Sequence, residues 1–203
     1  MKSFIFDVDG TLLDTQWVFY ESLTYALKAH GVEPERSLDG LFGGTLTGTL
    51  CKLGLEPDHP LGPTWEKRFD ELSQSTSFYP GVEETFRLLH EHGAKILLVT
   101  SRNHATADPI WKASVLSPYI DFCVATEDTP RHKPYPDPLL YAIRHENLDP
   151  GTTIYVGDTM NDYTAAKEAG IAFGAAKWNP NASALPGISL TSPADLLQLM
   201  ENW

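Results

Sequence analysis

Two hydrophobic periods take turns along this chain. An apolar run over 3–6 has the length of a strand, and 15–30 follows with Tyr20, Leu23, Thr24 and Leu27 on one helical face and Gly31 as its stop. From 32 to 78 the pattern loosens: Gly43, Gly44, Gly48, Gly54, Gly62 and four prolines interrupt it, and the spacing predicts a helix only over 64–74. Order returns with an amphipathic helix over 82–92, stopped by Gly93. The run AKILLVT at 94–100 then reads as a strand covered on both faces. Helices are predicted at 104–116, disturbed by Pro109, and at 138–147 and 160–169. Strands are predicted at 121–126, 152–157 and 171–175, and Ser192 and Pro193 are placed as N-cap and N1 of a last helix.

Strands joined through single helices predict βαβ units, and so a Rossmann-like, doubly wound, mainly parallel α/β sheet. The irregular stretch is too long for a loop inside a compact core. It is read as a small inserted α-helical cap over 15–78, leaving 1–14 and 79–203 as the α/β core.

Composition changes this picture little; charge changes it more. Of 203 residues, 42% are hydrophobic and 21% charged, as in a globular chain with a full core. No apolar run approaches the ~20 residues of a membrane span. The first residues carry one lysine and no signal-type apolar region, so a cytoplasmic location is expected. Cys51 and Cys123 lack metal-type spacing and are expected to be ordinary buried thiols. A net charge of −12 argues against nucleic acid and against an anionic membrane as partners. It also means that any anionic substrate needs local cations at its site.

Four polar stretches stand at or just beyond predicted strand ends, where ligands bind in open α/β sheets. They are Asp7-Val8-Asp9-Gly10-Thr11, Thr100-Ser101, Lys133-Pro134 and Gly157-Asp158-Thr159-Met160-Asn161-Asp162. Residues i and i+2 of a strand share a face about 6.5 Å apart, so Asp7 and Asp9 repel unless a cation lies near. A hard divalent cation such as Mg²⁺ takes carboxylate oxygens, and Asp158 with Asp162 extends the acidic set. Taken singly, each stretch has an ordinary structural use: a turn, a strand-end hydroxyl, a solvated loop lysine, a helix cap.

Together and in this order, the four resemble the motifs of the haloacid dehalogenase superfamily of phosphohydrolases. An insertion after the first motif resembles the cap placement of its phosphoglycolate phosphatase-like and β-phosphoglucomutase-like subfamily. The resemblance implies a Mg²⁺-dependent phosphatase of a small phosphorylated metabolite, acting through an aspartyl-phosphate. By it Asp7 is the nucleophile, Asp9 the acid and then the base, Thr100 a phosphoryl ligand and Lys133 the countercharge. The metal is implied to lie with Asp7, Asp9 (through its backbone carbonyl), Asp158 and Asp162. Thr11, Ser101, Asn103 and Thr45 are expected at the substrate. Asp7 is expected to be ionised and Asp9 to hold a proton. True dehalogenases and phosphonatases resemble this fold without the second aspartate and are disfavoured by Asp9. A phosphosugar mutase is weakened by the absence of arginine from 41–47. A receiver-type phospho-accepting module or a non-catalytic binding protein are the readings from other classes. Substrate identity and oligomeric state are not specified by the sequence.

Overall fold

The computed structural model describes residues 2–35 and 37–202. Six strands, β1 (Ser3–Phe6), β2 (Lys95–Val99), β3 (Phe122–Val124), β4 (Thr153–Gly157), β5 (Ala172–Ala176) and β6 (Ile188–Leu190), form one sheet in the order β3-β2-β1-β4-β5-β6. Every neighbouring pair is parallel. The fold is therefore α/β and doubly wound, and the switch point of the topology falls between β1 and β4. Phe6 of β1 stands in register with Val156 of β4. The residues that follow these two strands, Asp7 and Asp158, therefore emerge side by side.

Among the described residues, eight α-helices accompany the strands: α1 (Gln16–Ala29), α2 (Leu46–Lys52), α3 (Leu61–Ser73), α4 (Val82–Glu91), α5 (His104–Ala113), α6 (Asp137–His145), α7 (Met160–Ala169) and α8 (Asp195–Asn202). Alternate residues of β1 serve opposite faces of the sheet. Phe4 and Phe6 pack with Val82, Phe86 and Leu89 of α4 and Leu196 of α8. Ile5 packs with Leu139 and Ile143 of α6 and with Ala165 and Ala166 of α7. Both layers are buried, which is why the strands read as continuous apolar runs rather than alternating ones. Each fully buried Phe or Leu contributes about 1.5–3 kcal/mol, so strand ends carrying carboxylates are held on a stiff base.

The chain divides into two compact units: Met1–Leu13 with Phe78–Trp203, which holds the sheet, and Asp14–Ser77, which holds α1 to α3. The second unit has its own core of Phe19, Leu23, Leu27, Leu50, Leu61 and Trp65. Its Trp65 indole N–H donates to Ser22 Oγ at 3.0 Å. No helix among the described residues is long and apolar enough to cross a membrane.

Several elements differ from the sequence reading. β6 was not anticipated, because it has three residues and only Leu190 is buried. α2 was not anticipated either: its Thr47, Gly48 and Thr49 are poor helix formers, and Thr45 capping the first turn compensates. α5 stops at Ala113 instead of 116. α8 starts at Asp195 rather than at Pro193, because the Asp195 carboxylate accepts from the backbone N–H and hydroxyl of both Thr191 and Ser192. Cys123 is buried as expected, whereas Cys51 is exposed.

Candidate active site

The site is built on the first loop. The Asp7 N–H continues the sheet by donating to Val156 O at 2.9 Å. The chain then turns back: Leu12 and Leu13 donate to Val8 O, and the Gly10 N–H donates to Leu13 O. Gly10 adopts φ 81°, a left-handed conformation that a side chain disfavours.

Lys133 is the hub. Its ammonium lies 2.7 Å from Asp7 Oδ1 and 2.7 Å from Asp162 Oδ1, and it donates to the Tyr155 hydroxyl at 2.9 Å. Tyr155 in turn donates to Asp162 Oδ1 at 2.9 Å. The other oxygen of Asp162 accepts from the Thr159 N–H at 3.0 Å and the Thr159 hydroxyl at 2.5 Å. Asp162 thus caps α7 and anchors Lys133 with the same carboxylate.

Asp158 is fixed from the opposite side. The Thr11 hydroxyl donates to Oδ1 at 2.9 Å and the Asn179 amide to Oδ2 at 3.0 Å. That amide also donates to Gly10 O at 2.9 Å, and the Trp178 indole donates to Thr11 O at 2.9 Å. The result ties the first loop to the segment after β5. One oxygen from each of Asp7, Asp158 and Asp162 lies within 4.8 Å of the others.

The charges do not balance. Three buried carboxylates face one buried ammonium. Burial pushes Asp7 from 3.8 up to about 7; Lys133 opposes the rise, and the charges of Asp162 and Asp9 add to it. Burial also raises Asp158 well above the carboxylate range, helped by Asp162 and Asp7 and opposed by Thr11 and Lys133. Burial works against the Lys133 ammonium, but Asp162 and Asp7 outweigh it and hold its pKa above the ordinary lysine value. Burial, with Asp162 and Asp7, keeps the Tyr155 phenol protonated. An all-oxygen donor set short of positive charge fits a hard divalent cation.

Asp9 lies apart from this cluster. Arg102 grips it in a two-pronged pair, Nε to Oδ2 at 2.8 Å and Nη2 to Oδ1 at 2.6 Å. Such a pair is the arrangement of an ionised carboxylate. Burial works against the ionised form expected of Asp7, and the Asp9 carboxylate is held by a guanidinium.

Of the remaining expected substrate residues, Thr100 is buried and accepts from the Arg102 N–H at 3.2 Å, leaving its own proton to donate. Ser101 Oγ is buried with no hydrogen-bond partner, an orphan that a bound oxygen would satisfy. Asn103 caps α5, its carbonyl accepting from the Thr106 N–H and hydroxyl. Thr45 caps α2, accepting from the Gly48 N–H at 3.1 Å. Both side-chain oxygens are engaged locally.

The model of the haloacid dehalogenase-like hydrolases matches residues 4–176. The chain belongs to this family. It is 34% identical to the phosphoglycolate phosphatase of Nitrosospira multiformis, over 84% of this chain and 80% of that one. It is 26% identical to the pyrophosphatase PpaX of Bacillus cereus, over 100% of this chain and 97% of that one. Among solved structures, a protein of Lactobacillus plantarum described as a candidate phosphoglycolate phosphatase superposes with a TM-score of 0.83 at 24% identity, over 98% of each chain. At that identity the likeness speaks for the fold.

In this haloacid dehalogenase-like hydrolase, three residues that the sequence reading did not single out bond the motif carboxylates: Arg102, Tyr155 and Asn179. Arg102 sits inside the run Thr100-Ser101-Arg102-Asn103, and a cation there was a signal that went unused. Tyr155 is a polar-tipped ring between the aliphatic Ile154 and Val156, two residues before Gly157 and on its face. Asn179 has no local signal, because its partner Asp158 is 21 residues away.

Gly157 explains how Asp162 comes so close. A Cβ there would lie 2.5 Å from Asp162 Cβ and 2.6 Å from its Cγ. Gly157→Ala is expected to push α7 off the strand end and to cost about 1–3 kcal/mol in urea denaturation. A native unfolding midpoint for this variant would contradict that packing.

Proposed function

We propose that this hydrolase is a Mg²⁺-dependent phosphatase that cleaves a small phosphomonoester through an aspartyl-phosphate on Asp7. The observation that carries the reading is the convergence of Asp7, Lys133, Asp158 and Asp162 in one buried cluster beside the β1–β4 switch point. The names of the curated relatives, phosphoglycolate phosphatase and pyrophosphatase, support phosphoryl transfer to water as the reaction class.

In this mechanism an Asp7 carboxylate oxygen attacks phosphorus and the bond to the leaving oxygen breaks. Lys133, held by Asp162 and Tyr155, offsets the charge of Asp7 and of the transferring group. Thr100 and Ser101 donate to phosphoryl oxygens. Asp9, released from Arg102 and protonated from solvent, gives that proton to the leaving oxygen and later takes one from the water that attacks the phosphoenzyme. Asp7 and Asp158, with the backbone carbonyl of Asp9, would hold the metal. Asp162 stands behind them, since one of its oxygens is paired with the Lys133 ammonium and the other is used at the start of α7 by the N–H and hydroxyl of Thr159. A bound cation supplies the positive charge that lets Asp7 and Asp158 ionise together.

A phosphate-release screen over small phosphomonoesters tests the reading, with EDTA expected to abolish release and Mg²⁺ to restore it. A thermal readout follows from the same charges. In the folded protein Asp7 binds its proton more tightly than in the unfolded chain, so its stabilising contribution is complete below 3.8 and lost as pH rises to about 7. The metal-free protein is expected to melt progressively lower across that window, and Mg²⁺ to raise the melting temperature more at pH 8 than at pH 5. Full activity in EDTA, or a Mg²⁺ shift independent of pH, would rule out the metal assignment.

A further inference from the structure

We infer that Arg102 is a substrate-recognition residue that exchanges the Asp9 carboxylate for an anionic group on the substrate. The preferred substrate would then be a phosphoryl compound whose leaving group bears a second negative charge, a carboxylate or another phosphate. The inference rests on the proposed reaction, because that reaction places the leaving oxygen beside Asp9.

Asp9 has two positions to serve. To protonate the leaving oxygen it must face the substrate, yet both its oxygens are bound by Arg102 at 2.6 and 2.8 Å. The guanidinium fork that fits this carboxylate fits a substrate carboxylate or phosphate equally well. An anionic leaving group therefore competes for the seat that Asp9 occupies and frees Asp9 to act. A neutral leaving group leaves Asp9 tied.

Arg102 is built to stay in place during such an exchange. Its side chain is only 9% exposed. Its N–H donates to Thr100 Oγ1 at 3.2 Å, and its carbonyl accepts from the Thr126 N–H at 3.0 Å, so the backbone is pinned on both sides. Lys133 is unsuited to this task, because its ammonium is matched by Asp7, Asp162 and Tyr155. In a chain of net charge −12, a cation reserved for the substrate's second charge reverses the local field where the leaving group lies.

The test compares three substrates: the ester phosphoglycolate, the anhydride pyrophosphate, and the neutral amide of phosphoglycolate, which keeps the size of the leaving group and removes its charge. Wild type is expected to favour at least one of the anionic pair over the amide by about 10- to 100-fold in kcat/KM, with kcat as well as KM affected because the neutral leaving group leaves Asp9 tied. Arg102→Gln is expected to reduce that preference to about threefold or less, while Arg102→Lys, which keeps the charge without the fork, falls between. The two anionic arms tell a carboxylate from a phosphate. If the Gln variant does not fold by circular dichroism, the Lys variant carries the comparison. Equal losses on charged and neutral esters, or a wild type with no preference, would overturn the inference and leave Arg102 as a support for Asp9 alone. A wild type that hydrolyses none of the three, nor p-nitrophenyl phosphate, would overturn the phosphatase reading itself.

Discussion

Asp7→Asn is expected to abolish turnover and, at the same time, to stabilise the metal-free protein. An amide does not attack phosphorus, so the loss in kcat should be about 10⁴-fold or more, as for other nucleophiles that act as part of a unit. The gain in stability comes from the same residue. Asp7 is buried beside Asp162 and Asp158, and burial pushes its pKa up to about 7, so ionising it in the folded state is unfavourable. Replacing it with a neutral isostere should add about 1–3 kcal/mol at pH 8. Urea denaturation in EDTA reads the second effect and phosphate release the first. A variant that keeps its activity removes Asp7 as nucleophile; one that is inactive but destabilised contradicts the charge imbalance.

Lys133→Ala is expected to do the greatest structural damage of any single change in the site. It leaves Asp7 and Asp162 buried without their countercharge and the Tyr155 hydroxyl without its donor. Breaking one partner of a buried pair costs about 3–5 kcal/mol, a large part of a domain's stability. Activity should fall about 10³-fold or more in whatever fraction stays folded. Adding Asp162→Asn should recover much of the stability, because the amide still bonds Thr159 while the uncompensated charge is gone, but it should recover no activity. A single variant with native stability would mean that Lys133 is solvated in solution.

The sheet and the helices that cover it were legible because both faces of each strand are buried, so apolar runs and glycine stops mark them directly. The three-residue β6 and the helix α2, which depends on the Thr45 cap, were not, since neither carries enough periodicity. At the site, Asp7, Lys133, Asp158 and Asp162 were singled out by the order of four motifs at or beyond strand ends and by the family those motifs resemble together. The pairing of Arg102 with Asp9 was not, because it joins residues 93 apart by side-chain geometry that no spacing encodes. Burial, which raises Asp7, was equally out of sight of the local sequence. Local sequence names the titratable groups, but desolvation and partners set their charges.

The central claim is that Asp7 carries the phosphoryl group during turnover. The Asp9→Asn variant with p-nitrophenyl phosphate tests it most directly. The activated leaving group needs no acid, so the first step proceeds, while loss of the base slows attack by water. Acid-quenched samples, digested and analysed by mass spectrometry, should show one phosphoryl group on the peptide containing Asp7, at the Asp7 side chain. Phosphate release with no phosphorylated peptide at any time point, or a phosphoryl group on another residue, would contradict the account.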